Sequence, residues 1–316
     1  MKKILIFILF LGLNHSLYAE KKNQNKTIDS LTIDMKISEG LINTYTNEEN
    51  KLYFEISKNL LGKELLVVTR LAQLPGNYAG YLNAGSKTAE HVVQFEKHAK
   101  KILLKEVGFT NISDEEDPIS LSVSVNNFKP ILGAFDIKNS EDDKYLIDVS
   151  SYFMSDSPGF NIIRSYEKDN YKIGGVDKKR SFIDSARSFP RNTEILHTLT
   201  FSVNKAPRVN RTKTFSFQIN HSIIALPDNP MPVRYEDERV GWFTINKINY
   251  SSEKLKSDSY NIVRRWRLEP SDLDAYNRGE LVEPIKPIIY YLDPGTPMKW
   301  RKYFKMGIED WNCSFV

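Results

Sequence analysis

Two neighbouring stretches of this chain alternate between apolar and polar positions, a pattern typical of β-strands with one buried face. They are EILHTLTFSVN, residues 194–204, and TFSFQINHSII, residues 214–224. The polar segment KAPRVNRTK between them predicts a turn, so we expect an antiparallel hairpin. Its inward side chains would be Ile195, His197, Leu199, Phe201 and Val203 on the first strand, and Phe215, Phe217, Ile219, His221 and Ile223 on the second.

Similar short apolar runs, rich in β-branched residues, occur along most of the chain and predict further strands. GLINTYTNEENKLYFEIS and KELLVVTRL suggest a meander, and HVVQFEK with KKILLKEV suggests a hairpin about HAK. GWFTINKINY and NIVRRWRLEP predict later strands, and SDLDAYNRG predicts a short helix. The expected fold class is therefore mainly β, with antiparallel sheets or a meander and few helices.

The last segment, EPIKPIIYYLDPGTPMKWRKYFKMGIEDWNCSFV, predicts an apolar strand, a turn and a helix. Thr296 is a suitable N-cap, and Pro297 suits the first helical position. We expect the apolar helix face to need a partner surface, because Trp300, Ile308 and Trp311 would otherwise form an exposed patch. The full stripe consists of Trp300, Tyr303, Phe304, Gly307, Ile308, Trp311 and Phe315.

The first residues follow the plan of a secretory signal peptide, with Lys2 and Lys3 before an apolar run from Ile4 to Leu13. We expect a signal peptide over 1–19, cleaved after Ala19, and a flexible leader over 20–39. The apolar run is shorter than the roughly 20 residues that span a bilayer, so no transmembrane anchor is expected. The predicted location is periplasmic, outer-surface or extracellular.

Composition excludes some classes of partner. The formal net charge is +4, and without Lys2 and Lys3 the balance falls to 42 basic against 40 acidic residues. This overall balance predicts no nucleic-acid partner and gives no reason to expect an anionic membrane surface. Cys313 is the single cysteine, so no internal disulfide is possible.

Known catalytic motifs are missing from the sequence. It contains neither HExxH nor GxSxG, and LPGNYAGYLNAGSKTAE is a glycine-rich loop that does not fit a phosphate-binding pattern. His197 and His221 occupy inward positions of the predicted hairpin and could face one another, either as a satisfied core pair or as part of a metal site. No catalytic, metal-ligating or cofactor-binding residue is assigned, and Tyr78 and Tyr81 mark the glycine-rich loop as a candidate recognition surface.

Several segments together resemble the N-terminal half of a family of large exported bacterial zinc-dependent metalloproteases. They are YFEISKNLLGKELLVVTRL, NNFKPILGAFDIK, DKKRSFIDSARSFPRNTEI, LPDNPMPVRYEDERVGWFT and RRWRLEPSDLDAYNRGELVEPIKPIIYYLDPGTPMKW. The last strand and helix are similar to the start of a metzincin-type peptidase domain. The resemblance implies a β-rich region of unknown function over 40–283, as one body or two subdomains, and the start of a zinc peptidase domain over 284–316.

In that family, HExxHxxGxxH on a later helix holds the zinc, and its glutamate activates water. No position of this sequence matches that motif, so no zinc ligand or general base can be transferred. We therefore expect a truncated, non-catalytic chain without a cofactor of its own, whose contact with a protein or peptide substrate would run through the missing peptidase domain.

Two other functions fit the same residues. The chain could be a stand-alone exported module that binds protein or glycan through the loop of Tyr78 and Tyr81. It could also be a hydrolase that works through His197, His221 or the carboxylates of YEDER, residues 235–239.

Overall fold

The computed structural model describes residues 27–79, 81–207 and 212–315, so the expected signal peptide lies outside the described residues. The described chain divides into two compact units. The first contains the described residues up to 106 together with 131–225, and the second contains 107–130 and the residues from 226 onward. The predicted fold class is confirmed, because fifteen strands, six short α-helices and three 3-10 helices make up the regular structure of this described part.

The first unit is built on one large antiparallel sheet, accompanied by three short helices. The helices are α1 (Ile28–Thr32), α3 (Ser150–Phe153) and α4 (Ser165–Tyr171), with α2 belonging to the second unit. The strands are β1 (Lys36–Ser38), β2 (Asn43–Thr46), β3 (Leu52–Ser57), β4 (Glu64–Gln73), β5 (Lys87–His98), β6 (Lys101–Glu106), β8 (Ile131–Glu141), β9 (Lys144–Asp148), β10 (Ile173–Val176), β11 (Phe182–Phe189), β12 (Asn192–Val203) and β13 (Thr214–Ala225).

The strands of this sheet follow the order β1-β2-β3-β9-β8-β6-β5-β4-β13-β12-β10, and β11 also pairs with β12. The two ends of the sheet approach each other. The amide of Leu41 donates to the carbonyl of Phe189 at 2.8 Å, and the amide of Ile42 donates to Thr193 Oγ1 at 3.2 Å. A Cβ on Gly40 would lie 2.5 Å from the Phe189 backbone, so this closure of the near-barrel requires glycine.

The predicted hairpin of β12 and β13 is confirmed, and its register places Ile195 opposite His221. All ten side chains that the alternation assigned to the inward face are buried. The hairpin of β5 and β6 is also confirmed. The period-2 pattern therefore gave the correct buried face for the centre of the sheet.

The predicted meander is only partly correct. Strands β2 and β3 pair as expected, but β3 continues to β9, whereas β4 pairs with β5 and β13. A 3-10 helix over Lys58–Leu60, followed by Gly62 at a φ of +75°, turns the chain between β3 and β4. Glycine tolerates this left-handed conformation, which allows β4 to leave the neighbourhood of β3.

The second unit has a small sheet and very few buried side chains. Strand β7 (Asn111–Ile112) runs parallel to β14 (Thr244–Asn249), which pairs antiparallel with β15 (Asp258–Val263). The helices are α2 (Ile119–Asn126), α5 (Leu273–Asn277) and α6 (Met298–Glu309). The predicted helix in SDLDAYNRG is thus confirmed as α5, with Asp272 accepting from the amide of Ala275 as its N-cap.

Two details of the C-terminal expectation are wrong. Helix α6 exists and continues as a 3-10 helix over Asp310–Phe315, but its N-cap position is taken by Pro297, one residue beyond Thr296. The apolar run 285–292 forms no strand in the described structure. Pro284 and Pro287 supply no backbone donor, and a strand needs a partner to pair its remaining amides.

Candidate functional site

The glycine-rich loop between β4 and β5 carries the two tyrosines that the sequence marked for recognition. Tyr78 does not lie on the surface, because only 2% of it is exposed. Its ring packs against Phe215 and Phe217, with centroids 5.5 and 4.8 Å away. Tyr78 is therefore a core residue although it lies in a loop, and its ring is not available to the candidate recognition surface.

A buried carboxylate holds this loop in place. Glu167 on α4 is 1% exposed and accepts hydrogen bonds from the hydroxyls of Tyr78, at 2.8 Å, and of Tyr81. It also accepts from the amide of Arg164 at 3.0 Å and from the hydroxyl of Tyr166 at 3.3 Å. A charge in the interior needs such partners to compensate for lost hydration, so the loop and the helix depend on each other.

Burial, and then the adjacent Glu167 carboxylate, raise the pKa of the Tyr78 hydroxyl far above its ordinary value. The Tyr78 hydroxyl therefore keeps its proton and remains a hydrogen-bond donor at every physiological pH. The cluster has the character of a structural clamp, since its donors and its acceptor are already matched to one another.

Tyr81 is the part of the loop that faces solvent, with 53% of it exposed. The guanidinium carbon of Arg164 lies 5.8 Å from its ring centroid, within the range of a cation–π contact. Of the recognition surface proposed from the sequence, only the Tyr81 ring and the neighbouring Arg164 guanidinium remain candidates. The Tyr81 hydroxyl donates to the buried Glu167 carboxylate, which positions the ring.

The two inward histidines do face one another, as the sequence suggested. His197 Nε2 and His221 Nε2 are 2.9 Å apart, and His221 Nδ1 lies 2.9 Å from Thr69 Oγ1. The rings of Phe153 and Phe160 lie over the pair, with the Phe160 centroid 4.9 Å from that of His221. One imidazole must therefore donate to the other through Nε2, because two acceptors or two donors would repel.

The environment of the pair favours neutral rings. Burial lowers the pKa of His197 to about 3, although the backbone of Phe153 favours its protonation. Burial, and then the neighbouring His197, lower the pKa of His221 well below its ordinary value. His197 Nδ1 is buried and makes no well-formed hydrogen bond to any described residue.

The side chains present do not fit a zinc site of the family that the sequence resembles. Catalytic zinc takes three protein ligands and keeps a fourth position for water. Within residues 27–79, 81–207 and 212–315, no three of the side chains of His, Cys, Asp and Glu come together as a metal site. His197 and His221 supply two ligand nitrogens, surrounded by aromatic rings, and a catalytic zinc would need a third protein ligand.

Two of the three carboxylates of YEDER are used in local bonds. Asp237 pairs with Arg239 at 2.6 Å, and Glu236 accepts from the side-chain amide of Asn261 at 2.5 Å. Cys313, the single cysteine, is exposed and donates to the carbonyl of Asp310. None of these groups adjoins a histidine, so the structure offers no support for a hydrolase that combines them.

An open apolar groove of about 1080 Å³ lies within the second unit. Leu273 and Tyr276 of α5 form one part of its lining, and Ile308 and Trp311 near the end of α6 form another. The remaining apolar lining comes from Trp266, Leu268, Pro270, Leu281, Val282, Pro284, Pro287, Ile288 and Tyr290. Ile308 and Trp311 are two of the three residues that the sequence predicted to form an exposed apolar patch, and Trp300 is the third.

Two family models match the chain. A model described as a domain of unknown function (DUF5117) matches residues 85–271, which is more than half of the chain. A second, described as a domain of unknown function (DUF5118), matches residues 25–74. Neither a curated protein nor a solved structure matches the chain.

Proposed function

This chain belongs to the DUF5117 family, and we propose that it serves as the non-catalytic N-terminal region of an exported bacterial zinc-dependent metalloprotease. In this proposal the large sheet is a stable support, and the apolar surface of residues 226–315 packs against the peptidase domain. The peptide bond would be cleaved by that domain and not by any group described in this chain.

The observation that carries the proposal is a contrast in burial between two parts of the chain. The sheet of the first unit buries a large set of apolar side chains, including Phe54, Phe95, Phe201, Phe215 and Phe217. Among residues 226–314, whose side chains the structure describes, Val263 and Ala275 are the only hydrophobic ones that are buried. The exposed ones include Trp242, Phe243, Trp266, Tyr291, Trp300, Tyr303, Phe304 and Trp311.

So many exposed aromatic side chains are characteristic of a surface that another protein surface covers. Helix α6 and the 3-10 helix that follows it illustrate this, because Trp300 is 49% and Trp311 is 67% exposed. The resemblance of 284–316 to the first strand and helix of a metzincin-type domain supports the peptidase domain as the occupant. The apolar run 285–292 would then form its strand only when that domain supplies the neighbouring strand.

A direct assay tests the non-catalytic part of this proposal. The purified chain is analysed for bound zinc and for hydrolysis of unfolded casein, with and without a chelator. We expect no stoichiometric zinc and no hydrolysis above that of a blank preparation. Stoichiometric zinc together with chelator-sensitive hydrolysis would overturn the proposal.

The stand-alone protein- or glycan-binding module is the second candidate, and the exposed ring of Tyr81 beside Arg164 favours it. Binding of a peptide or glycan that is lost in Tyr81→Ala, and retained in the neighbouring Tyr166→Ala, would support this candidate. Binding that survives Tyr81→Ala would exclude the loop as its site.

A further inference from the structure

Basic side chains from separate segments of the chain gather at one end of β10, β12 and β13. Two backbone hydrogen bonds join the end of α4 to the end of β12: Asn204 N donates to Lys172 O at 3.2 Å, and Lys205 N donates to Tyr171 O at 2.9 Å. These bonds place Lys172 beside Lys205.

The neighbouring strand brings a third lysine to the same place. Val203 N donates to Lys213 O at 2.9 Å, immediately before β13 begins. Adjacent strands lie about 4.8 Å apart, so Lys172, Lys205 and Lys213 stand on successive segments within about 10 Å.

A short 3-10 helix over Lys178–Arg180 adds three more basic side chains. Arg180 Nη1 donates to Thr214 Oγ1 at 3.2 Å, which fixes this turn against the start of β13. Arg180 also pairs with Asp177 at 2.9 Å. We name this surface the basic edge, and it consists of Lys172, Lys178, Lys179, Arg180, Lys205 and Lys213.

Five of the six charges of the basic edge are not used to hold the fold together, and Arg180 is the exception. All six side chains are exposed, and within the described part of the chain the five lysines make no side-chain hydrogen bond or ion pair. Asp177 is the acidic group bonded to the edge, and Asp169 is a further exposed carboxylate on α4. Such a gathering of like charges opposes folding slightly and attracts anions, a property that the nearly balanced total charge conceals.

An exposed aromatic ring lies next to this basic surface. Phe182 begins β11 two residues after Arg180 and is 42% exposed. A basic surface beside an apolar tip suits the boundary between lipid headgroups and acyl chains. Single-stranded nucleic acid would instead need aromatic platforms spaced along the basic groove, and Phe182 is one ring at its margin.

We propose that the basic edge binds the phosphate-bearing surface of an anionic lipid bilayer. Lys172, Lys178, Lys179, Arg180, Lys205 and Lys213 attract the headgroup phosphates, and Phe182 enters the headgroup layer. The attraction weakens as salt is added, because exposed charges are screened over about 10 Å at 0.1 M ionic strength. This surface inference does not depend on the proposed relation to a metalloprotease.

The test measures co-sedimentation of the full chain with vesicles of phosphatidylethanolamine and phosphatidylglycerol, and with neutral vesicles of phosphatidylcholine. The test variant carries Lys172→Gln, Lys178→Gln, Lys179→Gln and Lys205→Gln. We expect its affinity for the anionic vesicles to fall about tenfold or more, since every basic residue near an anionic surface adds to the attraction. Phe182→Ser should cause a smaller, salt-independent loss.

The matched control removes the same number of charges from exposed positions elsewhere, with Lys36→Gln, Lys256→Gln, Lys286→Gln and Lys302→Gln. The unchanged chain, the fourfold lysine variant and the matched control share one N-terminus, so a difference in binding between these two variants reports on the basic edge, and thermal unfolding of each protein verifies folding. We expect the control to bind like the unchanged chain. Equal affinity for neutral vesicles, an equal loss in both variants, or binding to soluble polyphosphate but not to vesicles would each overturn the proposal.

Discussion

The Nε2 atoms of His197 and His221 lie 2.9 Å apart in the core of the large sheet, so their shared hydrogen bond requires one of the two nitrogens to remain an unprotonated acceptor. His197 is 2% and His221 is 1% exposed. Water therefore cannot compensate for a charge on either ring, and the pair makes the fold sensitive to acid.

Acid is expected to destabilise the chain through these histidines. Their folded pKa values lie below the usual 6.5, at about 3 for His197 and lower than usual for His221, so below pH 6.5 the unfolded state binds more protons. Stability is fully present above pH 6.5 and falls as the pH drops toward the folded values. The loss is about 1.4 kcal/mol per pH unit for each histidine, measurable by urea unfolding at a series of pH values.

Carboxylates also respond to acid, so a variant separates the two contributions. His197→Gln with His221→Gln removes both imidazoles and should flatten the stability profile between about pH 6.5 and 5, where carboxylates titrate little. A profile equally steep in both proteins would show that the histidines are not responsible. The double variant also carries a packing cost, which is why the slope of stability against pH is compared and not the absolute stability.

The hydroxyl of Thr69 is expected to matter because it is the partner of His221 Nδ1. Thr69→Val keeps the shape but leaves a buried ring nitrogen without a partner, at a cost of about 1 to 3 kcal/mol. Thr198→Val removes an exposed hydroxyl that bonds Asp184, and should cost less than about 1 kcal/mol. Chemical unfolding of the two variants checks this order.

Loss of the Glu167 carboxylate is expected to release the loop between β4 and β5. Glu167→Ala leaves the buried hydroxyl of Tyr78 without its acceptor, so we expect a loss of about 2 to 4 kcal/mol and faster proteolytic cleavage within residues 74–86. Tyr166→Phe removes only the long 3.3 Å contact and serves as control. Cleavage of the loop at the same rate in both proteins would contradict the role of Glu167 in holding the loop in place.

The aromatic side chains of α6 are expected to contribute little to the stability of the chain alone. Phe304 is 55% exposed, whereas Phe217 is fully buried. Phe304→Ala should change the free energy of unfolding by less than about 0.5 kcal/mol, and Phe217→Ala should cost about 3 to 5 kcal/mol.

The variants Trp300→Gln and Trp311→Gln should also reduce binding of a hydrophobic dye, and unchanged dye binding would mean that this surface is covered within the chain.

Local pattern correctly predicted three pairs of strands that are adjacent in sequence, namely β2 with β3, β5 with β6 and β12 with β13. The alternation in β12 and β13 predicted both the buried face and the meeting of His197 with His221, because register in a hairpin follows from the turn. The pairing of β3 with β9 is a non-local contact, and nothing within either strand specifies its partner.

The sequence was less informative about loops and isolated segments. Tyr78 was expected on the surface because loops usually are exposed, and only the packing against Phe217 and Glu167 reveals its burial. Helix α2 contains the alternating sequence ISLSVSVN, which favours a strand, yet it satisfies its backbone groups as a helix. Residues 285–292 form no strand for a related reason. The apolar pattern shows that a strand could form there, but it does not show whether a partner strand is present.

If residues 226–315 present their apolar surface to a zinc peptidase domain, the encoding DNA beyond codon 316 should encode that domain. Sequencing this DNA is expected to reveal a downstream segment that encodes HExxHxxGxxH, in the same frame or a shifted one. A downstream sequence without that motif in any frame, from a cell that makes and exports the chain intact, would contradict it.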